Sequence, residues 1–389
     1  MVQISPLALT LATKAAVAGI AALPYDVFNE TEARAEVMKR PLSFLALDRP
    51  ETLFAPGIDP YAEGVYRAAA ALLQERIHTG LYEQQAPAYY LYELSTAEHC
   101  QCGIVAGFSA DDYENGRIKR HELTRREKED DRVRHIEALQ AQTGPVFLIY
   151  RRNRVLQAII DEVLNGQPLY DFTAAEGVRQ RVFVVGSEHE KAITAAFAAM
   201  EAVYIADGHH RAAAAVRACR TVGNGRVLSV LFPEEQLQIL PYHRVLKELC
   251  GWEATILRSR LEERYGLQKL SAAALPQQKG SVSVWLAGGW YSLSLPQERA
   301  AELDVAVLGD EILEDLLGIT DIRGDQRIDF VGGCHPLSAL EAYPLAFAMY
   351  PTAISELLAI ADAGGIMPPK STWFEPKLYS GLFLYRGEE

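Results

Sequence analysis

Val203-Tyr-Ile-Ala-Asp-Gly-His-His-Arg211, running without a break into Ala212-Ala-Ala-Ala-Val-Arg-Ala-Cys219, decides how the rest of this 389-residue chain is read. A short β-prone run leads into Asp207-Gly208, and an alanine-rich segment of high helix propensity follows. The pattern predicts strand, tight turn, helix. A helix start leaves its first N–H groups unpaired and carries partial positive charge, and Gly208 lets a ligand approach the backbone. His209, His210 and Arg211 add cationic or hydrogen-bonding groups at the same place. Together they suit a phosphate. A plainer reading makes Asp207 a helix cap, Gly208 a turn former and one histidine a satisfied core residue. Neighbouring helix positions point about 100° apart, so at most one histidine lies against the core while the other faces a cleft.

Working upstream, Arg181-Val-Phe-Val-Val185, a helix from Glu188 to Ala202 and Val203-Tyr-Ile-Ala206 read as the strand, helix and strand that deliver the chain to the turn. Val146-Phe-Leu-Ile-Tyr150 is a buried-strand candidate and Val155 to Leu164 a helix. Before them, Arg117 to Arg134 is the most charged stretch of the chain and holds Arg120, His121, Glu122 and Arg125. Its bland reading is a solvated helix laced with ion pairs. Ala88-Tyr-Tyr-Leu-Tyr-Glu-Leu94 and Gln101-Cys-Gly-Ile-Val-Ala-Gly107 alternate as a strand pair would, and 60–80 reads as an amphipathic helix. The first residues, Leu7 to Leu23, are expected to form an apolar helix, with a strand at Ser43-Phe-Leu-Ala-Leu47. Asp26 and Glu51, on turns at either end of that region, are candidates for base chemistry or metal binding, with a plain turn role as the alternative.

Downstream, Val227-Leu-Ser-Val-Leu-Phe232 is another strand, and Leu240-Pro-Tyr-His-Arg244 follows a short acidic turn. His243 and Arg244 are candidates to join the pocket as that strand returns, with a plain surface role as the alternative. Asp304 to Gly318 reads as a helix, and Gln277-Gln-Lys-Gly280 as a polar break and an internal domain boundary. Near the end, Met367-Pro-Pro-Lys-Ser-Thr-Trp-Phe-Glu-Pro-Lys377 sets Lys370, Ser371, Thr372 and Lys377 in a loop stiffened by proline, a set able to hold phosphate oxygens, with mere scaffolding as the alternative.

Several of these stretches, in order, resemble one family: Leu23-Pro-Tyr-Asp-Val27, Arg49-Pro-Glu51, Ile118-Lys-Arg-His-Glu-Leu-Thr-Arg125, Ala206-Asp-Gly-His-His-Arg211, Leu240-Pro-Tyr-His-Arg244, Asp329-Phe-Val-Gly-Gly333 and the 367–377 loop. The chain is identified by them as a member of the domain-of-unknown-function 1015 family (DUF1015). The turn is also similar to that of the ParB/sulfiredoxin-like superfamily, whose members handle nucleotide phosphates and include free-serine kinases. The fold implied is mixed α/β or α+β: an N-terminal α+β segment over 1–145, a ParB/sulfiredoxin-like core over 146–250 and a C-terminal α+β segment over 251–389. The resemblance implies catalytic roles among His209, His210, Asp207, Glu51 and Glu122. It implies donor contacts from Gly208, Arg211, Arg120, His121, Arg125, Lys370, Ser371, Thr372 and Lys377, substrate contacts from Tyr25, Asp26 and His243, and a metal on Asp207.

The function implied is a phosphotransferase acting on a small hydroxylated metabolite, by resemblance free L-serine, with Mg²⁺ and pyrophosphate, ATP or ADP as donor. Transfer needs charge neutralisation, in-line positioning and a base for the hydroxyl proton. No Gly-x-x-x-x-Gly-Lys-[Ser/Thr] loop and no protein-kinase Asp-Phe-Gly set occur, which excludes the two common kinase designs. Two rivals stand beside it: a ParB-like nucleotide switch that contacts nucleic acid, and a hydrolase of phosphoserine or nucleotides. A net charge of −13 argues against a broad nucleic-acid footprint. Five cysteines, an odd number scattered over the chain, make no disulfide framework and fit a reducing cytoplasm. No membrane segment is expected, since Leu7 to Leu23 contains Lys14 and falls short of a span. A homo-oligomer is compatible with everything above.

Overall fold

The computed structural model describes residues 1–387, which fall into two compact units: Met1–Leu237 with the returning segment from Pro376, and Gln238–Glu375. Both mix helices with sheets, so the protein is α+β. The expected cuts at 145/146 and 250/251 are corrected by hydrogen bonding. Cys100–Ser109 pairs along six positions with Arg226–Pro233, so one ladder ties together residues on both sides of position 145. The polar break at 277–280 merely precedes a hairpin strand, Ser281–Leu286, inside the second unit.

The first unit is built on a nine-stranded sheet. Its order is Ile118–Lys119, Val203–Asp207, Val146–Tyr150, Arg226–Pro233, Cys100–Ser109, Tyr90–Ser95, Arg179–Val184 and Tyr170–Thr173, with Ile4–Ser5 added beside Cys100–Ser109. Two pairs are parallel, Ile118–Lys119 with Val203–Asp207 and Val146–Tyr150 with Arg226–Pro233. The inner strands read as near-continuous apolar runs because both faces are covered. The helices Arg154–Leu164 and Ser187–Ala198 pack together, as do Arg126–Leu139 and His209–Ala218. Residues such as Leu148, Ile205, Phe197 and Ala214 fill the core between the layers.

Two expectations fail near the N-terminus. Leu9–Ala12 is a strand, not part of a helix, and sits between Tyr82–Gln84 and Phe383–Tyr385 in a small sheet. All four of its residues are buried, and Thr10 Oγ1 donates to Gln84 Oε1 at 2.5 Å; tertiary pairing overrides alanine-rich propensity. Only Val17–Ile20 is helical there. Conversely 43–47 forms no strand: Leu45–Asp48 is a buried helical turn, and a short apolar run does not reveal its period. No helix among the described residues is long and apolar enough to cross a membrane.

The second unit holds a six-stranded antiparallel sheet in the order Gln268–Lys269, Gly289–Ser294, Ser281–Leu286, Leu345–Ala348, Tyr242–Leu246, Ile328–Gly332. A two-stranded ribbon pairs Gln238–Leu240 with Trp373–Glu375. The helix expected from Asp304 is α-helical only to Leu308 and continues as a wider π turn over Gly309–Glu314.

Candidate active site

The sequence Val203 to Arg211 folds as its pattern dictates: strand Val203–Asp207, Gly208 at φ +86°, helix His209–Ala218. Glycine is required there twice over. The φ is left-handed, and a Cβ would lie 3.1 Å from Arg211 Cζ, because the guanidinium folds back beneath the turn. Asp207 Oδ1 accepts from its own Gly208 N–H at 2.7 Å and Oδ2 from Lys377 Nζ at 3.0 Å. Burial works against the charged carboxylate, yet Lys377 and Arg211 outweigh it and hold the Asp207 carboxyl well below the usual range.

Parallel pairing brings the charged stretch to the same place. Val203 N donates to Arg117 O, and Ile118 and Lys119 lie opposite Val203 and Tyr204. Both strands therefore end at one edge, and Arg120-His121-Glu122 leaves its strand where Asp207-Gly208-His209 leaves the other. The His121 and His209 rings meet edge to face with centroids 4.5 Å apart, and both are nearly fully buried. His209 Nδ1 lies 3.6 Å from Glu122 Oε2. His209 Nε2 and His121 Nδ1 are buried with no hydrogen-bond partner among the described residues.

His210 points the other way, partly exposed, and its Nε2 accepts the Arg125 N–H at 3.0 Å. Burial pushes all three imidazoles below their ordinary value, His121 to about 4 and His209 well down. The histidines are neutral at pH 7, so the formal positive charge at the turn comes from Arg211 and Lys377 rather than from them. With Nε2 accepting, His210 carries its proton on Nδ1.

The other candidates divide. Arg120 is exposed and stacks on Tyr113, its Cζ 4.9 Å from the ring centre. Glu51 is buried and accepts from Arg49 Nε at 2.5 Å, while Arg49 Nη1 also donates to the Phe28 carbonyl at 2.8 Å and, more loosely, to that of Tyr25 at 3.3 Å. Glu51 thereby anchors the loop carrying Tyr25 and Asp26 instead of standing open as a base. Asp26 is exposed, and its charge is felt at His210. Arg211 Nη1 donates to the Pro145 carbonyl at 2.9 Å.

Lys370, Ser371, Thr372 and His243 belong to the second unit. There the Ser371 hydroxyl donates to the Pro368 carbonyl at 2.6 Å, and Lys370 Nζ lies 5.4 Å from the centre of the Tyr242 ring. His243, 1% exposed, accepts the Met349 N–H on Nδ1 at 3.1 Å, and burial pushes it down to about 4. Those bonds serve the second unit's own packing. Asp207 does not suit a metal: both carboxylate oxygens are engaged and an ammonium stands beside them. Among the described residues no group of three or more His, Cys, Asp or Glu side chains is placed to hold an ion.

Sequence reasoning overlooked Asp48 and His135, which line a cavity with Arg211 and with Arg132 of the charged run. His135 follows Arg132 by three positions on the same helix face, and that spacing is the signal available for it. Asp48 was hidden at the end of an apolar run.

A family model described as a protein of unknown function (DUF1015) matches residues 4–308. The chain belongs to this family. No curated protein matches it. Among solved structures, this DUF1015 member is similar to a free serine kinase in complex with AMP, at 12% identity and a TM-score of 0.35 over 70% of this chain and 86% of that one. It is also similar to a conserved hypothetical protein from Pyrococcus furiosus (12%, TM-score 0.36, 73% and 95%) and to C-terminally truncated SbnI from Staphylococcus aureus (12%, TM-score 0.38, 72% and 87%). At this level of likeness, ligand and reaction do not carry over.

Proposed function

We propose that the protein is a phosphotransferase that moves a phosphoryl group from pyrophosphate or a nucleotide to the hydroxyl of a small metabolite, with L-serine the first acceptor to test. One observation carries the reading. Two strand ends converge on a helix N-terminus that is flanked by Arg211 and Lys377 and carries His209, whose Nε2, like Nδ1 of neighbouring His121, has no hydrogen-bond partner among the described residues. Helix amides, a planar guanidinium and imidazole N–H donors are what phosphate oxygens need. In the reaction the acceptor oxygen bonds to phosphorus as the bridging P–O bond of the donor breaks, and the hydroxyl proton passes to a carboxylate. Glu122, 3.6 Å from His209, is the first candidate base and Asp26 the second. Arg211 and Arg120 offset the charge that gathers on the donor, and Lys377 keeps Asp207 ionised so that the turn holds its shape.

The test is phosphorus NMR of the protein with L-serine and each donor in turn, with and without Mg²⁺. Phosphoserine accumulating with one donor supports the reading, while free phosphate alone would make the protein a hydrolase. Arg211→Lys, which keeps the charge and loses the planar fork, is expected to lower kcat/KM by about 10- to 100-fold. Unchanged kinetics in that variant would remove Arg211 from the site.

A further inference from the structure

Tyr25 and Asp26 sit on a single 3₁₀ turn, Tyr25–Val27, that no side chain of its own caps. Two arginines hold it instead. Arg49 takes the carbonyls of Tyr25 and Phe28, with Glu51 behind it. Arg132, which is buried, takes the ring: its Cζ lies 4.3 Å from the centre of the Tyr25 ring. The edge of that guanidinium is engaged elsewhere. Nε and Nη2 reach Asp131 Oδ2 at 2.9 and 2.8 Å, and Nη1 donates to the Asp48 carbonyl at 3.4 Å. The flat face is left to an aromatic ring, which a planar cation suits.

Asp131 is fixed in turn from its far side. Its other oxygen, Oδ1, accepts the Tyr66 hydroxyl at 2.7 Å, across 65 positions of sequence. Burial, with the bond to Asp131, pushes the Tyr66 phenol up, so it stays a donor. Tyr66, Asp131, Arg132 and Tyr25 thus form one line of contacts. It runs from the helix Glu63–His78 through the helix Arg126–Leu139 to the turn. The second of these helices also serves the phosphate turn, because Arg125, its N-cap, gives its N–H to His210 Nε2 at 3.0 Å. Arg132 follows about two helical turns later, roughly 10 Å along the axis. One element therefore sets where both turns stand. They are near enough to feel each other: the charge of Asp26 acts on His210, and that of Arg211 on Tyr25.

We propose that Tyr66, Asp131 and Arg132 are positioning residues that touch neither donor nor acceptor and hold the Tyr25-Asp26 turn at its working distance from His210 and Arg211. Their purpose rests on the phosphotransferase reading, in which Asp26 is one of two carboxylates offered to the hydroxyl proton. The line of contacts stands without it.

The experiment is a double-mutant cycle between Arg132 and Asp26 in the full chain, read on the His210 imidazole by proton–nitrogen NMR across pH. The charges felt at His210 are those of Glu129, Asp26, Arg125 and Lys128, so Arg132 acts there through what it holds. Asp26 raises the imidazole, and Asp26→Asn is expected to move its titration to lower pH. Arg132→Lys keeps the charge and loses the planar face. In that background the same Asp26→Asn change is expected to have less than about half its wild-type effect. Tyr66→Phe, the loss of one hydroxyl, is expected to act in the same sense. An Asp26 effect of full size in both backgrounds overturns the proposal, since the turn then keeps its place without the clamp. Should Arg132→Lys fail to fold, the Tyr66→Phe cycle decides.

Initial rates give the second arm. With whichever donor is used, kcat is expected to fall about 10- to 100-fold in Arg132→Lys while the donor KM changes less than about twofold. An unchanged kcat overturns the positioning role and leaves the phosphotransferase reading intact. Absence of transfer by the wild type from every donor sinks that reading, and the NMR cycle then decides for or against the held turn by itself.

Discussion

Gly208 is the residue on which the geometry of the turn depends. With φ at +86° and Arg211 curled beneath it, alanine there would be strained in its backbone and would push the guanidinium aside. Gly208→Ala is expected to lower stability by roughly 1–3 kcal/mol and to weaken phosphate binding as well; urea unfolding and a phosphate titration read the two effects separately. The histidines make a second prediction. Burial lowers His121 and His243 to about 4, from an ordinary value of 6.5, and holds His209 well below that ordinary value. Between those values the unfolded chain binds more protons than the native one, so stability is full above pH 6.5 and falls as the pH drops toward 4. The urea midpoint should decline across that window, and His243→Gln should flatten part of the slope. A midpoint constant from pH 7 to pH 4 would mean the rings are charged in the native state.

At the scale of elements, the parallel pairing of Ile118–Lys119 with Val203–Asp207 joins two motifs that lie far apart in sequence. A parallel ladder aims the Lys119 N–H back at the Val203 carbonyl, and the strand is a two-residue edge. Lys119→Pro removes that donor. It is expected to cost little global stability, because the edge buries few neighbours, and to reduce phosphoryl transfer at least tenfold by releasing His121 and Glu122. Thermal melting and initial rates check the two halves. This pairing was not legible in the sequence. The strand, turn and helix from Val203 to Cys219 could be read from periodicity and glycine, and so could the strands at 90–95, 100–109, 146–150 and 226–233. A two-residue strand has no period to detect. Leu9–Ala12 misled for another reason: its alanine and leucine favour a helix in isolation, and only pairing with residues seventy or more positions away makes it extended. The neutral histidines were hidden too, since charge state follows burial, and burial is decided by the His121 and His209 rings meeting.

At the scale of the whole molecule, the chain leaves the first unit after Leu237 and re-enters at Pro376. Its two doorposts are fixed to one strand: Gln236 Oε1 accepts the Cys102 N–H at 2.8 Å, and the Pro376 carbonyl accepts from Gln101 Nε2 at 3.2 Å. Replacing 238–375 by a Gly-Ser linker of about six residues should therefore leave a first unit that unfolds cooperatively, as followed by circular dichroism in urea. A molten product would show that the first unit does not stand alone.

Lys377 lies one residue past the point of return, and the strand Phe383–Tyr385 closes against Leu9–Ala12 after it. A ribosome consequently finishes Asp207 long before it makes the ammonium that steadies it. Until the excursion through the second unit has been synthesised, the nascent turn holds an acid with Arg211 but without its ammonium partner. Completion of the Asp207-Gly208 turn thus waits on translation, and a polypeptide stalled before residue 376 lacks the Lys377 bond to Asp207.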